Sequence, residues 1–115
     1  MTTLVTESVL LRVYCNAGDV REGVPLHEAL VAAARAAGLA GASVLAGTMG
    51  YGRAGQIYSD LLAEYEADRQ PLVVEFIDQP ERIEAFLPSL WATLGESRLV
   101  TLERAEVVLY KSHEA

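Results

Sequence analysis

Pro25 and Pro80 each stand at the head of an apolar series with helical spacing, and four β-rich runs are arranged around these two segments. No other feature limits the possible folds as strongly. Proline is tolerated at the first helical position, because the N–H it lacks has no intrahelical partner there. After Pro25, the residues Leu26, Ala29, Leu30, Ala33 and Ala37 recur at helical spacing and Gly38 offers a C-terminal stop, which predicts a helix over 25–37. After Pro80, the residues Ile83, Phe86, Leu87, Leu90 and Leu94 line one side of a second helix. Pro88 lies inside it and should kink or loosen it locally.

The β-rich runs fall at 8–15, 42–49, 72–77 and 99–110. Gly18, Asp19 and Gly23 mark 16–24 as a loop, and 67–70 is a polar turn. Segment 57–66 fits either a strand extension or a short helix. The resulting order, βαββαβ, is the α+β ferredoxin-like arrangement. Right-handed crossovers then place both helices on one face of a four-stranded antiparallel sheet. With 115 residues and no linker, repeat or low-complexity tract, 1–115 reads as a single domain.

In such a fold the second sheet face meets water and should turn polar. Here Val9, Leu11 and Val13 oppose Leu10 and Tyr14, and Leu72, Val74 and Phe76 oppose Val73 and Ile77, so both faces carry apolar residues. Exposed apolar surface of this extent marks a protein–protein interface, and self-association is the simplest way to cover it.

Composition removes several function classes. Sixteen acidic and nine basic residues give a net charge of −7, which argues against nucleic-acid binding. No apolar run approaches the ~20 residues that span a bilayer, so direct membrane insertion is not expected. The polar N-terminus lacks signal-peptide character, and a cytoplasmic location is expected. Cys15 is the sole cysteine and sits in an apolar run, where a thiol behaves as a small hydrophobe. Cys15, His27 and His113 show no metal-ligand spacing. Glu64, Glu66, Asp68, Glu81 and Glu84 lie at turns and helix starts, where carboxylates are solvated or oppose a helix dipole. No nucleophile–base or H-E-x-x-H pattern is legible, so catalysis is not expected.

Gly50-Tyr51-Gly52-Arg53-Ala54-Gly55 satisfies G-x-G-x-x-G. It stands mid-chain after a complete strand–helix unit, with only about 60 residues to follow, too few for a full dinucleotide domain plus a substrate site. Arg53-Ala54 replaces the Lys-Ser/Thr pair of a phosphate-binding P-loop. What remains is a flexible loop or an anion-contacting loop in which Arg53 adds a planar bidentate donor.

Larger blocks carry a resemblance. Gly38-Leu39-Ala40-Gly41-Ala42-Ser43-Val44-Leu45, followed by Gly47-Thr48-Met49-Gly50-Tyr51-Gly52, is similar to the signature of the "domain of unknown function 190" family. Leu11-Arg12-Val13-Tyr14, Gly23-Val24-Pro25-Leu26, Pro71 to Asp78 and Phe86-Leu87-Pro88 match the same pattern in order. That family resembles the PII signal-transduction proteins. The resemblance implies a homotrimer with ligand clefts between neighbouring subunits, and a loop that reports occupancy to a regulated protein, such as a membrane transporter. It points to Gly47, Thr48, Gly50, Tyr51, Gly52 and Arg53 as one ligand wall, and to Gly95 and Arg98, in the place of a phosphate-gripping loop, as another. Glu106 and Leu109 stand where cationic side chains are expected on the last strand. A ligand less charged than ATP, such as AMP, ADP or a small anion, suits that composition. The alternative is a trimeric adaptor that binds its partner without a small ligand.

Overall fold

The computed structural model describes residues 2–62 and 67–111; Glu64, Tyr65, Glu66 and His113 lie outside the described residues. Four long strands build the main sheet: β1 (Thr2–Asn16), β4 (Gly41–Ala46), β7 (Pro71–Asp78) and β8 (Leu99–Lys111). Between the first two lie the short strands β2 (Val20–Arg21) and β3 (Val24–Pro25) and the helix α1 (Leu26–Ala36). Strands β5 (Met49–Gly50) and β6 (Tyr58–Ser59) follow β4, and the helix α2 (Pro80–Leu94) precedes β8. The sheet order is β4-β7-β1-β8, all antiparallel. This is the ferredoxin-like topology that the element order predicts.

Paired residues share a sheet face, and the register sorts the apolar residues accordingly. Leu11 faces Phe76, Val13 faces Val74 and Cys15 faces Leu72 across the β1–β7 ladder, and all six are buried. Helix α1 covers them with Leu26, Leu30 and Ala34, and α2 with Ile83, Phe86, Leu90 and Leu94. The Phe76 and Phe86 rings meet at 5.3 Å with a 57° tilt, a geometry that suits the aromatic quadrupole. Full burial of each ring stabilises the fold by roughly 1.5–3 kcal/mol.

Element boundaries differ from the sequence expectation in several places. Pro25 is the residue before α1 rather than its first residue; its ψ of 130° is extended, and it pairs with Val20 in a small hairpin inside the expected loop. Ala37 is exposed beyond the end of α1. Strand β4 stops at Ala46, because the N–H of Gly47 turns to Pro71 O at 2.8 Å and the chain leaves the sheet. Within 57–66, Tyr58–Ser59 is strand and Asp60–Leu62 a 3-10 turn. Helix α2 runs continuously through Pro88. Strand β1 begins well before residue 8: Thr2 to Ser8 pair with Ala105 to Lys111 in a two-stranded ribbon beyond the end of β7. Thr2, Thr3, Thr6, Glu7 and Ser8 make this stretch polar, which hides it from hydrophobic patterning.

The helix-free face is organised in rows. Leu45, Val73, Tyr14 and Leu99 lie in register across all four strands, and Leu45, Tyr14 and Leu99 are exposed. The next row is polar: Ser43, Glu75, Arg12 and Thr101. Arg12 donates through Nε to Glu75 Oε2 at 2.7 Å and through Nη1 to Glu103 Oε1 at 2.8 Å. The hydrogen bond to Glu75, and after it that to Glu103, raises the guanidinium pKa. The open face is thus apolar at one end with a charged band across its middle, and less uniformly greasy than the first and third strands alone suggest.

Candidate functional site

Strands β1 and β4 finish, and β7 and β8 begin, at one end of the sheet, and the candidate ligand residues collect there. Gly47 is locked over the start of β7. Besides its N–H bond to Pro71, its carbonyl accepts Gln70 Nε2 at 3.4 Å. A Cβ at Gly47 would lie 3.0 Å from Pro71 Cγ and 3.4 Å from Pro71 O, so any larger residue would push Pro71 aside by a few tenths of an ångström. Asp60 N–H donates to Thr48 O at 2.9 Å, and Met49 and Gly50 pair with Ser59 and Tyr58. Tyr58 is buried and anchors the hairpin. Burial foremost, and then the neighbouring Asp60 carboxylate, raise its phenol pKa. Beyond Gly50 the loop projects into solvent. Tyr51 is 73% exposed, Arg53 is exposed, and a Cβ at Gly52 would meet nothing within 4 Å.

Gly95 and Arg98 stand at the same end of the sheet but beside the opposite edge strand. Gly95 closes α2 with φ +72°, its N–H donating to Trp91 O. The Arg21 guanidinium lies so close that a Cβ there would fall 2.7 Å from Arg21 Cζ. Arg98 donates through Nη1 to Asp19 Oδ2 at 3.0 Å and through Nη2 to Glu96 Oε1 at 2.8 Å. Its Nε is buried without a hydrogen-bond partner. Trp91, Leu94, Gly95, Glu96, Ser97 and Arg98 line a groove of about 450 Å³.

The structure therefore brings Gly47, Thr48 and Gly50 together at the β4 edge, and Gly95 and Arg98 together at the β8 edge, without joining the two groups. Three strand spacings of about 4.8 Å separate the edges, or roughly 14 Å. A chain of bonds links them within the subunit. Asp19 Oδ2 accepts Asn16 N–H, Gly18 N–H donates to Asp68 O at 2.8 Å and Ala17 N–H donates to Gln70 O at 2.9 Å. Gln70 in turn touches Gly47.

Sequence comparison places this arrangement in a family. The model of DUF190 (Uncharacterized ACR, COG1993) matches residues 8–107. The chain belongs to this family. Among its curated relatives, a UPF0166 protein of Aquifex aeolicus (strain VF5) is 34% identical over 104 residues, covering 90% of this chain and 96% of the relative. A UPF0166 protein of Methanocaldococcus jannaschii is 27% identical, covering 91% and 95%. The DUF190 chain also has the PII-like fold of solved structures. CPII of Thiomonas intermedia K12, a nitrogen regulatory PII-like protein bound to ADP, AMP and bicarbonate, superimposes with a TM-score of 0.64 at 15% identity, covering 90% of this chain and 91% of CPII. A PII-like signalling candidate from Thermus thermophilus gives 0.58 at 14% identity, with 91% of each chain covered.

The electrostatics of the family member's two walls differ. The glycine wall presents Tyr51, Gly52 and the Arg53 cation on an exposed loop, while the Gly47 N–H is already bonded to Pro71 O. The Arg98 wall is nearly neutral, because the Asp19 and Glu96 carboxylates offset the Arg98 guanidinium and that of Arg21 beside Gly95. Trp91, Arg21, Asp19 and Glu96 are contributors that pattern reading passes over. Trp91 precedes Gly95 by one helical turn, which would have placed both on one side of α2. Nothing local marks Asp19 as a partner of Arg98. A second groove of about 780 Å³ runs between α1 and the β4 edge, lined by His27, Glu28, Val31, Arg35 and Val44. Among the described residues no group of three His, Cys, Asp or Glu side chains is placed to hold a metal. No described helix is long and apolar enough to cross a membrane.

Proposed function

We propose that this chain is a non-enzymatic, PII-like regulatory subunit. It assembles as a homotrimer, senses a small ligand in clefts between neighbouring subunits, and passes occupancy to a regulated protein through the loop after Gly50. The carrying observation is that the glycine wall and the Arg98 wall stand at opposite edges of one sheet end, edges whose strand axes lie roughly 14 Å apart. A head-to-tail ring sets the β4 edge of one copy against the β8 edge of the next and makes one cleft from two half-sites. The exposed row Leu45, Tyr14 and Leu99 supplies apolar surface for that association.

An adenine nucleotide of low charge, AMP or ADP, is the first ligand class to test. The near-neutral Arg98 wall suits it better than a triphosphate, and CPII of the same fold is described as bound to ADP and AMP. Sedimentation and titration calorimetry test the proposal together: a trimer should bind the nucleotide at micromolar to millimolar concentration, and Arg53→Ala should weaken binding. A single subunit at micromolar concentration, or no heat with any nucleotide at millimolar level, overturns it. The two carboxylates on Arg98 favour one alternative, a trimeric adaptor with no small ligand. In that case a partner, such as a membrane transporter, is retained equally well by wild type and by a chain lacking 51–57.

A further inference from the structure

Arg98 has two unlike faces. One terminal nitrogen is anchored to Asp19 by a pair in which both side chains are mostly buried, at 17% and 19% exposure. The other terminal nitrogen meets Glu96, whose side chain is 73% exposed at the rim of the groove beside Trp91. The guanidinium is thus held in a fixed orientation by an inner carboxylate and capped by an outer, solvent-facing one. A guanidinium fork presents its donors in the geometry that carboxylates and phosphates accept. Here the groove-facing prong is already occupied by an anion of the same chain, two residues away.

We propose that Glu96 is an internal competitor for the anion subsite on Arg98. A phosphate or carboxylate group of the ligand displaces the Glu96 carboxylate and takes its place on Nη2, while Asp19 keeps the guanidinium aimed into the groove. This rests on the ligand-binding function proposed above. The competitor is displaceable because exposed ion pairs are weak, whereas the Asp19 pair is shielded from water. Once displaced, the Glu96 carboxylate stays near the incoming anion and repels it, more strongly the more charge the ligand carries. Glu96 therefore acts as a specificity determinant: it lowers affinity in proportion to ligand charge and leaves a neutral nucleoside unaffected.

The test compares wild type with Glu96→Gln, which keeps the shape and removes the charge at an exposed position. Adenosine, AMP and ADP are titrated into each, followed by calorimetry and by the fluorescence of Trp91, the sole tryptophan, which lines the same groove. The expected result is AMP bound about three- to tenfold tighter by Glu96→Gln, with a larger gain for ADP, no gain for adenosine, and gains that shrink with added salt. Equal or weaker AMP binding by Glu96→Gln, while wild type binds AMP, overturns the role of Glu96 and leaves the sensor function standing. A gain for adenosine as large as that for AMP also overturns it, since the effect would then not be one of charge. No binding of any of the three ligands by either protein at millimolar concentration removes both proposals.

Discussion

Arg98 Nη1 and Asp19 Oδ2 lie 3.0 Å apart and tie the start of β8 to the loop that follows β1, across 79 positions of sequence. Asp19 also accepts the backbone N–H of Asn16, so the carboxylate closes its own loop as well as orienting the guanidinium. Removing Arg98 leaves the mostly buried Asp19 carboxylate without its ion-pair partner, whereas Arg98 without Asp19 keeps Glu96. Arg98→Met should lower unfolding free energy by about 1–3 kcal/mol. Asp19→Asn/Arg98→Met should cost less than the sum of the single changes. Urea denaturation of the four proteins measures both, and strict additivity would show that the two residues do not act as a pair.

Gly47 and Gly52 belong to the same glycine-rich segment but have opposite surroundings. Gly47→Ala puts a methyl 3.0 Å from Pro71 Cγ, so β7 or the hairpin must give way. A destabilisation of about 1–2 kcal/mol is expected. Gly52→Ala meets open space and should change stability by less than about 0.5 kcal/mol. Thermal melts of the two variants side by side decide the matter; equal effects would contradict the packing described at Gly47.

Leu99 is 62% exposed at the end of the apolar row on the helix-free face. Leu99→Glu should leave the stability of a single subunit within about 0.5 kcal/mol of wild type. It should shift sedimentation toward smaller species, because a charge buried in an apolar contact is strongly disfavoured. Unchanged sedimentation would show that this row is not a contact surface.

Cys15 is buried, and its thiol is pushed up to about 11 from an ordinary value of 9.0. Desolvation is the main cause, Asp19 adds to it and Arg98 opposes it. The folded protein therefore holds this proton where the unfolded chain has lost it. Stability from this source is complete below pH 9 and declines as pH rises from about 9 to 11, by roughly 2–3 kcal/mol at most. Cys15→Ala should flatten that part of the alkaline stability profile. At pH 8 a thiol reagent should label native protein far more slowly than urea-unfolded protein, and rapid native labelling would contradict the burial.

Periodicity served well where a residue's environment follows from its neighbours in sequence. The buried faces of β1, β7 and α2 were legible because Leu11, Val74 and Phe86 belong to short repeating patterns. The Thr2–Ser8 part of β1 was not legible, since it pairs with Ala105 to Lys111, a partner far away in sequence. The candidate site was legible only as two stretches, Gly47 to Arg53 and Gly95 to Arg98. The residues that set the charge of the second stretch are distant in sequence or carry no local signal of their role.

By itself the sequence determined the α+β class, the four main strands, the two helices and the glycine-rich segment, because proline position, alternation and helical spacing act over a few residues. Only the tertiary structure decided that Glu75 and Glu103 converge on Arg12, that Asp19 holds Arg98, and that the two candidate stretches, Gly47 to Arg53 and Gly95 to Arg98, stand at opposite edges of the sheet. The reason is the strand order β4-β7-β1-β8: it joins segments that are far apart along the chain, and ion pairs formed across such joins follow from spatial proximity, which local pattern does not encode.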